Sequence, residues 1–220
     1  LPGPNPVFGQ EQKPRAILDV EAKCVAFSPD GKIFASAGGK TVKLWDAANG
    51  KIIATPDAHT GSANSVAFSP NGKTLASGGT VQVDGPFGLR GEIKLWDVDA
   101  RKLTATLDGQ TLLVAAVAFS PNGKTLASGG PRKLVKEEAG REWRTHFAGA
   151  ELKIWDLGSM KASTLLQAES TPVNFVAFSP DGKTLATAEN GIKLWDVASG
   201  KNTATFTMGP PTNQEKIAAL

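Results

Sequence analysis

Cysteine and histidine, the side chains used most often in metal sites, are almost absent from this sequence. Of 220 residues, one is cysteine and two are histidine. The single cysteine, Cys24, excludes an intramolecular disulfide and a zinc site built from several cysteines. The two histidines, His59 and His146, lie far apart in the sequence. We therefore predict neither a metal site nor a bound cofactor.

Long hydrophobic runs and a one-sided charge are absent as well. No stretch of about 18 apolar residues occurs, so no membrane-spanning segment is predicted. The formal net charge is +3, and the charged residues are spread along the chain. Because binding to nucleic acid requires a clustered basic face, we do not expect a nucleic-acid partner. The cytoplasm is the location we favour.

Sequence motifs of the common enzyme classes are the third absence. The GxSxG elbow, the P-loop, HExxH and the dinucleotide-binding fingerprint are all missing. We therefore predict that the chain has no catalytic residues and is not an enzyme.

The sequence does contain an internal repeat. The phrase Phe-Ser-Pro-Asp/Asn-Gly-Lys occurs four times, and a Lys-Leu/Ile-Trp-Asp segment follows each copy. The phrases begin at Phe27, Phe68, Phe119 and Phe178, and the tryptophans of the Trp-Asp pairs are Trp45, Trp96, Trp155 and Trp195. Such repetition indicates a repeat architecture, and repeat units build binding surfaces more often than one catalytic pocket.

The fourth repeat, which carries no insertion, predicts four antiparallel strands. Its first apolar run ends at Phe178 and is followed by Ser-Pro-Asp-Gly, in which Pro presets φ and Gly accepts a positive φ. Asn190-Gly191 is a second hairpin signal. The residues before Trp195 alternate between apolar and polar, as in a half-buried strand. Each repeat is therefore predicted to form one four-stranded sheet.

Four-stranded sheets that recur about every 40 residues, each with a strand ending in Trp-Asp, resemble the WD-repeat family of β-propellers. The resemblance covers residues 15–208, between an N-terminal extension over 1–14 and a C-terminal tail over 209–220. It implies an all-β fold in which each sheet is a blade and the blades pack radially around a central channel. This chain would supply four WD-type blades, half or part of a ring.

The resemblance also implies structural roles for the repeated residues. The four tryptophans are expected to pack between blades, and the aspartate after each one to accept hydrogen bonds in a turn. In the family, a buried hydrogen-bonded set joins a His, a Ser or Thr, an Asp and the Trp. The hydroxyl position is matched by Ser36, Ser77, Ser128 and Thr187, and the His position holds Leu18, His59, Gln110 and Glu169. Because no Asp partner is apparent for His59, we expect this set to be mostly missing and packing to supply the stability.

Rings of this family usually contain about seven blades and sometimes eight, so four blades would leave two apolar faces open. The chain would then be part of a longer propeller, one of two copies that complete a ring of eight, or an unusual closed ring of four. Residues 15–20 align with the fourth strand of every repeat, so they form a surplus strand. A surplus strand points to a preceding blade elsewhere, and we favour a homodimer with eight blades.

Repeats two and three carry insertions of about 10 and 18 residues between their second and third strands. The insertions are at about Thr80–Glu92 and Pro131–Ala150, and we expect each to be an extended hairpin. In the family, this connection opens on the face that usually binds partners. Loops on a rigid scaffold commonly carry recognition, and Trp and Arg are favoured anchors.

Nine residues of the insertions are therefore candidates for partner binding: Phe87, Leu89, Arg90, Arg132, Lys133, Trp143, Arg144, His146 and Phe147. The alternative is that the two hairpins pack on each other and bury Phe87, Trp143 and Phe147. Charged residues such as Arg132 and Lys133 can also form a merely solvated face.

These features favour a non-catalytic scaffold for protein–protein interaction, with an unidentified protein partner and self-association that closes the ring. The alternative is a catalytic or small-ligand-binding propeller with its site in the central channel. A deep central pocket holding several carboxylates or histidines would indicate that alternative. Cys24 takes the same repeat position as Ser65, Ala116 and Phe175, so we expect it to fill the core rather than act as a nucleophile.

Overall fold

A computed structural model of the chain describes residues 21–56, 58–84, 88–110, 112–139, 142–168, 172–189 and 191–207; for 109–110, 133–139, 142–148 and 163–168 it describes the backbone. Every regular element in these ranges is a β-strand. Within the same ranges, no helix is long and apolar enough to cross a membrane. The N-terminal extension, the C-terminal tail and the surplus strand predicted at residues 15–20 lie outside the described residues.

Sixteen strands in the described residues form four antiparallel sheets, each of four strands in sequence order, which we call blades 1 to 4. Blade 1 contains β1 (Cys24–Phe27), β2 (Ile33–Gly38), β3 (Thr41–Asp46) and β4 (Ile52–Ala54). Blade 2 contains β5 (Ala63–Phe68), β6 (Thr74–Gln82), β7 (Leu89–Asp97) and β8 (Lys102–Gln110). Blade 3 contains β9 (Ala116–Phe119), β10 (Thr125–Ala139), β11 (Glu142–Asp156) and β12 (Lys161–Ala168). Blade 4 contains β13 (Phe175–Phe178), β14 (Thr184–Glu189), β15 (Gly191–Asp196) and β16 (Asn202–Phe206), so the predicted all-β fold is confirmed.

The repeated Ser-Pro-Asp/Asn-Gly phrase forms the first hairpin turn of each blade, as predicted. In blade 1, the Ser28 hydroxyl accepts the N–H of Ile33 at 3.0 Å, and the Asp30 carboxylate accepts the N–H of Lys32 at 3.1 Å. Gly31 has a φ of 70°, a conformation that favours glycine. The hydrogen bond from Ser28 is the main cause of a lowered pKa at Asp30.

The aspartate of each Trp-Asp pair accepts hydrogen bonds in the turn that follows it, which confirms the predicted turn role. Asp196 Oδ1 accepts the N–H of Ser199 at 2.8 Å and its hydroxyl at 2.6 Å. Asp156 makes the same two bonds with Ser159, both at 2.7 Å. These hydroxyl bonds stabilise the charged form and lower the pKa of both carboxylates.

The hydrophobic core of the described part of the chain lies in three clusters, one at each contact between consecutive blades. At each contact, the Trp of the later blade packs against the third strand of the blade before it. Trp96 packs in the first cluster, Trp155 in the second and Trp195 in the third. Blades therefore have two different faces, and each internal interface joins the back face of one blade to the front face of the next.

Candidate functional site

In blade 2, strands β6 and β7 continue beyond the sheet as a paired hairpin. Their register runs without interruption to Val81 opposite Arg90 and Gln82 opposite Leu89. Arg90 Nη2 lies 3.4 Å from Asp108 Oδ1, and both side chains are exposed. Exposed ion pairs of this kind contribute little stability, so Arg90 is not fixed by its partner. Phe87, another candidate, lies outside the described residues.

In blade 3, strands β10 and β11 form a longer hairpin, which we call the ribbon (Pro131–Ala150). Its register continues to Ala139 opposite Glu142. Pairing of β9 ends at Gly129 and pairing of β12 ends at Ala150, so beyond Ala150 the described ribbon strands pair only with each other. Arg132 is exposed at the base of the ribbon. Both insertions are thus extended hairpins, as predicted.

The ribbon separates its candidate residues onto two faces. Alternate residues of a strand lie on opposite faces of the sheet. Trp143 and Phe147 therefore share one face, and Arg144 and His146 share the other. By register, Lys133 belongs to the face of Arg144 and His146. One face carries the two aromatic candidates, and the other carries Lys133, Arg144 and His146.

A cavity of about 640 Å³ lies where the first strands of the four blades converge. Its lining includes the equivalent positions Cys24, Ser65, Ala116 and Phe175, and it extends to Leu89 at the blade 2 hairpin. Lys23 is the one charged residue in the described lining, and its Nζ donates to Asn64 Oδ1 at 3.2 Å. This lining is not the cluster of carboxylates or histidines that would indicate a catalytic channel.

Cys24 has the predicted packing role and also faces the cavity, which was not predicted. It is partly buried and packs against the first hydrophobic cluster, as expected of a core residue. It also lines the central cavity. Among the residues that the structure describes, no group of three or more side chains is arranged to hold a metal ion.

The buried hydrogen-bonded set of blade 2 is complete, so the expectation that it would be missing is wrong for this blade. His59 Nδ1 lies 2.9 Å from Glu92 Oε1, and His59 Nε2 lies 3.1 Å from Ser77 Oγ. Trp96 Nε1 donates to the same Ser77 Oγ at 3.0 Å. A neutral His59 with its proton on Nδ1 satisfies all three contacts, because Ser77 then donates to Nε2. Glu92 takes the place of the aspartate.

Burial favours that neutral form of His59. Removal of the ring from water lowers the pKa of His59, while the hydrogen bond and charge of Glu92 act in the opposite direction. Lys94 lies 3.5 Å from the same Glu92 oxygen, and its positive charge also disfavours a charged imidazole.

The Trp-to-hydroxyl half of the set occurs in all four blades. Each indole Nε1 donates to the predicted hydroxyl at 2.8–3.0 Å. The four pairs are Trp45 with Ser36, Trp96 with Ser77, Trp155 with Ser128 and Trp195 with Thr187. All four tryptophans are buried, so each indole nitrogen needs this acceptor.

Glu92 was not identified from the sequence because an aspartate was expected at that role. A usable signal exists, since Glu92 and Glu151 both lie four residues before their Trp and both are buried. The register also places Glu92 opposite Gly79, two pairs away from Ser77 and therefore on the same face of the sheet. Lys23 was missed too, because no motif marks the cavity it lines.

Comparison with known proteins shows similarity to a protein family and to curated proteins. The family model described as "WD domain, G-beta repeat" matches residues 17–46, 50–97, 101–136 and 160–196. One of the curated relatives is "WD repeat-containing protein SL1-17" of Schistosoma mansoni, which is 30% identical over 139 residues. The match covers 51% of this chain and 46% of the relative, so the chain spans about half the length of that protein.

Proposed function

Because the chain belongs to the WD-repeat family, whose repeats generally mediate protein–protein interaction, we propose that it is a non-catalytic scaffold whose two inserted hairpins bind a protein partner. The blades supply a rigid base, and the hairpins extend from it. The proposal includes self-association of the chain.

The observation that carries this proposal is the placement of the two hairpins. They extend the same connection, between the second and third strands, in two consecutive blades. Successive turns of an antiparallel sheet lie at opposite ends, so both hairpins leave from the end of the blades opposite the Ser-Pro-Asp/Asn-Gly turns. Loops on a rigid base commonly carry recognition, because they tolerate variation without loss of the fold.

The two faces of the ribbon would bind a partner through different kinds of contact. Aromatic side chains bury a large area at low cost in conformational entropy, so binding through the face of Trp143 and Phe147 would be anchored by apolar contact. Binding through Arg144 and His146 would be electrostatic and would weaken at higher salt. We propose the aromatic face as the main contact, with Arg90 and Arg132 at its margin.

The test is affinity capture of partners with the parent chain and three ribbon variants. One variant replaces the ribbon with an Asn-Gly turn like the one in blade 4. The second carries Trp143→Ser and Phe147→Ser, and the matched third carries Arg144→Ser and His146→Ser. We expect the first two to lose the proteins that the parent captures, and the third to retain them.

Circular dichroism and melting of each variant provide the control for folding. Retention of every captured protein by the shortened variant would contradict a role for the ribbon in recognition. A shortened variant that fails to fold would instead assign Trp143 and Phe147 to the packing of the hairpins.

A further inference from the structure

The front face of blade 1 is built like an internal interface, yet it is open. Val66 and Val117 occupy the same repeat position, and both are buried where their blades pack against the preceding one. Val25 takes this position in blade 1 and is 62% exposed, and Phe27 is 64% exposed. No preceding blade covers these two side chains within the described chain.

The back face of blade 4 is open in the same sense. In blade 2, Ile93 pairs with Leu107 across β7 and β8, and both are buried in the cluster shared with blade 3. In blade 4, Ile192 pairs with Phe206 at the equivalent positions of β15 and β16. These two side chains are 49% and 57% exposed.

A series of contacts between the first turns of the blades also stops at these two faces. A Cβ placed on the turn glycine of blades 2, 3 and 4 would lie 3.4–3.5 Å from the Cδ of the proline of the blade before. The pairs are Pro29 with Gly72, Pro70 with Gly123 and Pro121 with Gly182. Gly31 has no such neighbour within 4 Å, and Pro180 has no following blade in the described chain. The series continues if Pro180 of one copy meets Gly31 of another.

A side-chain hydrogen bond between blades would be repeated by the same contact. Asn64 Nδ2 donates to the main-chain oxygen of Val114 in the next blade at 3.2 Å. Asn174 occupies the position of Asn64 in blade 4 and is exposed. Ala22 occupies the position of Val114 in blade 1. The amide of Asn174 is therefore placed to donate to Ala22 of a following blade 1.

Side-chain volumes at the interfaces match as well. At two of the interfaces, a valine on the front face of one blade lies opposite a glycine on the back face of the blade before it. A Cβ on Gly78 would collide with Val114, and a Cβ on Gly129 would collide with Val173. At the first interface, both positions are alanine, and Ala37 and Ala63 lie in one buried cluster. Ala188 of blade 4 and Ala22 of blade 1 are again alanine, which is the allowed combination.

We propose that the back face of blade 4 binds the front face of blade 1 in a second copy of this chain, and that the reciprocal contact closes a ring of eight blades. This inference deepens the proposed self-association by naming its surfaces. Each copy carries both halves of the interface, so two copies satisfy all four open faces with two identical contacts. The pairing uses the same front-to-back contact that each copy already makes three times.

The test is the mass of the 220-residue chain in solution, measured by light scattering after gel filtration. The parent is expected at twice the 22.9 kDa of one chain. Phe27→Asp alters the front face and Ile192→Lys alters the back face, and each alone is expected to give monomers. Leu103→Lys is the matched control, because Leu103 is an exposed apolar residue of an internal blade, and it is expected to remain a dimer.

Mixing the two face variants distinguishes front-to-back pairing from pairing of like faces. A mixture of Phe27→Asp and Ile192→Lys contains one native interface per pair and sets Asp and Lys at the other. We expect the mixture to recover dimer that neither variant forms alone. Like-face pairing would leave each variant dimeric through its unaltered face, and that result would overturn the proposal.

Each remaining outcome also decides the question. A parent that stays at 22.9 kDa at micromolar concentration overturns the proposal and favours further blades of a longer polypeptide as the occupant. Dimers that persist in every variant retain self-association but overturn these faces. Val25→Asp and Phe206→Lys repeat the test if either first variant loses its circular dichroism signal. None of these substitutions alters the ribbon, so partner capture is measured independently.

Discussion

At the residue scale, each signature tryptophan is held both at its ring and at its nitrogen. The rings of Trp96, Trp155 and Trp195 pack in the clusters between blades, and the ring of Trp45 stacks on Phe34. The indole N–H has a hydroxyl acceptor in all four blades. Lysines reinforce this arrangement: Lys153 Nζ lies 5.7 Å from the ring centroid of Trp155, within the range of a cation–π contact. The repeated Lys-Leu/Ile-Trp-Asp segment therefore encodes packing, a hydrogen bond and a turn together.

We predict that His59 makes the stability of the protein depend on pH. Its pKa is lowered in the folded state, so the unfolded chain binds the proton first as pH falls below the ordinary value of about 6.5. The free energy of unfolding should therefore be unaffected by His59 at higher pH and decrease as pH falls through that value. Urea denaturation at pH 7.5, 6.5 and 5.5 measures it.

The control for this prediction comes from the repeat itself. Gln110 occupies the His59 position in the third repeat, so His59→Gln is a replacement that the repeat already uses. The variant should show a weaker loss of stability between pH 7.5 and 5.5 than the parent, and His146→Gln should behave like the parent. An unchanged pH dependence in His59→Gln would show that the imidazole titrates alike in both states.

Residue roles that follow from local chemistry were predictable, and roles that depend on distant pairing were not. The turn function of Asp196 follows from its position one residue after Trp195 and three before Ser199. The partnership of His59 with Glu92 joins residues 33 positions apart. It exists because His59, which precedes β5, lies against Gly79, and the β6–β7 register pairs Gly79 with Glu92. No sequence pattern near His59 predicts Glu92 as its partner.

At the element scale, the two glycines of Ser-Gly-Gly in blades 2 and 3 have a packing reason. The first of them, Gly78 in blade 2, lies against the buried side chain of Val114 from the next blade. Blade 1 has Ala37 at this position and Ala63 across the interface. Glycine thus leaves room for a larger neighbour, and the summed volume of the two facing side chains stays nearly constant.

We predict that Gly78→Ala lowers the free energy of unfolding by about 1–3 kcal/mol, the usual cost of overpacking a core. The loss should be smaller in a Val114→Ala background, because that pair copies Ala37 and Ala63. Urea denaturation of the two single variants and the double variant gives the coupling energy. Gly158→Ala is the control, since its new Cβ meets only a side-chain oxygen at 3.5 Å. Additive losses would contradict the steric account.

The strands and the two long hairpins were predictable because turn residues and the alternation of apolar and polar residues are features of short sequence segments. Even the bounds of the ribbon followed from the spacing between Leu126 and Trp155, compared with that between Leu185 and Trp195. The grouping of Trp143 with Phe147 follows from alternation along one strand, whereas the face of Lys133 depends on the register that pairs Ala139 with Glu142 and was not assigned from the sequence. A slip of one residue in that register would move Lys133 to the face of Trp143 and Phe147.

At the scale of the whole molecule, the repeats determine the interfaces but not the number of blades. Every blade has a front and a back, so the four described blades make three internal interfaces, and no described blade covers the front of blade 1 or the back of blade 4. The sequence predicted these open faces from the number of repeats. The residues that form them, such as Val25 and Ile192, became identifiable only by comparison with buried equivalents in the same structure.

The two ends of the blades differ in the same way that their connections differ. Short turns, shaped by Pro and Gly, recur at one end with little variation. The other end carries both hairpins and the links between blades. A partner bound by the hairpins would therefore not contact the short turns. The short turns thus serve as an internal control for changes measured at the hairpins.

Amide hydrogen exchange of the chain, alone and bound to a partner captured by the parent but not by the shortened variant, tests the scaffold proposal most directly. The proposal predicts slower exchange on binding in residues 131–150 and near Arg90, with no change in the Ser-Pro-Asp/Asn-Gly turns. Slower exchange confined to those turns, with the ribbon unchanged, would contradict it.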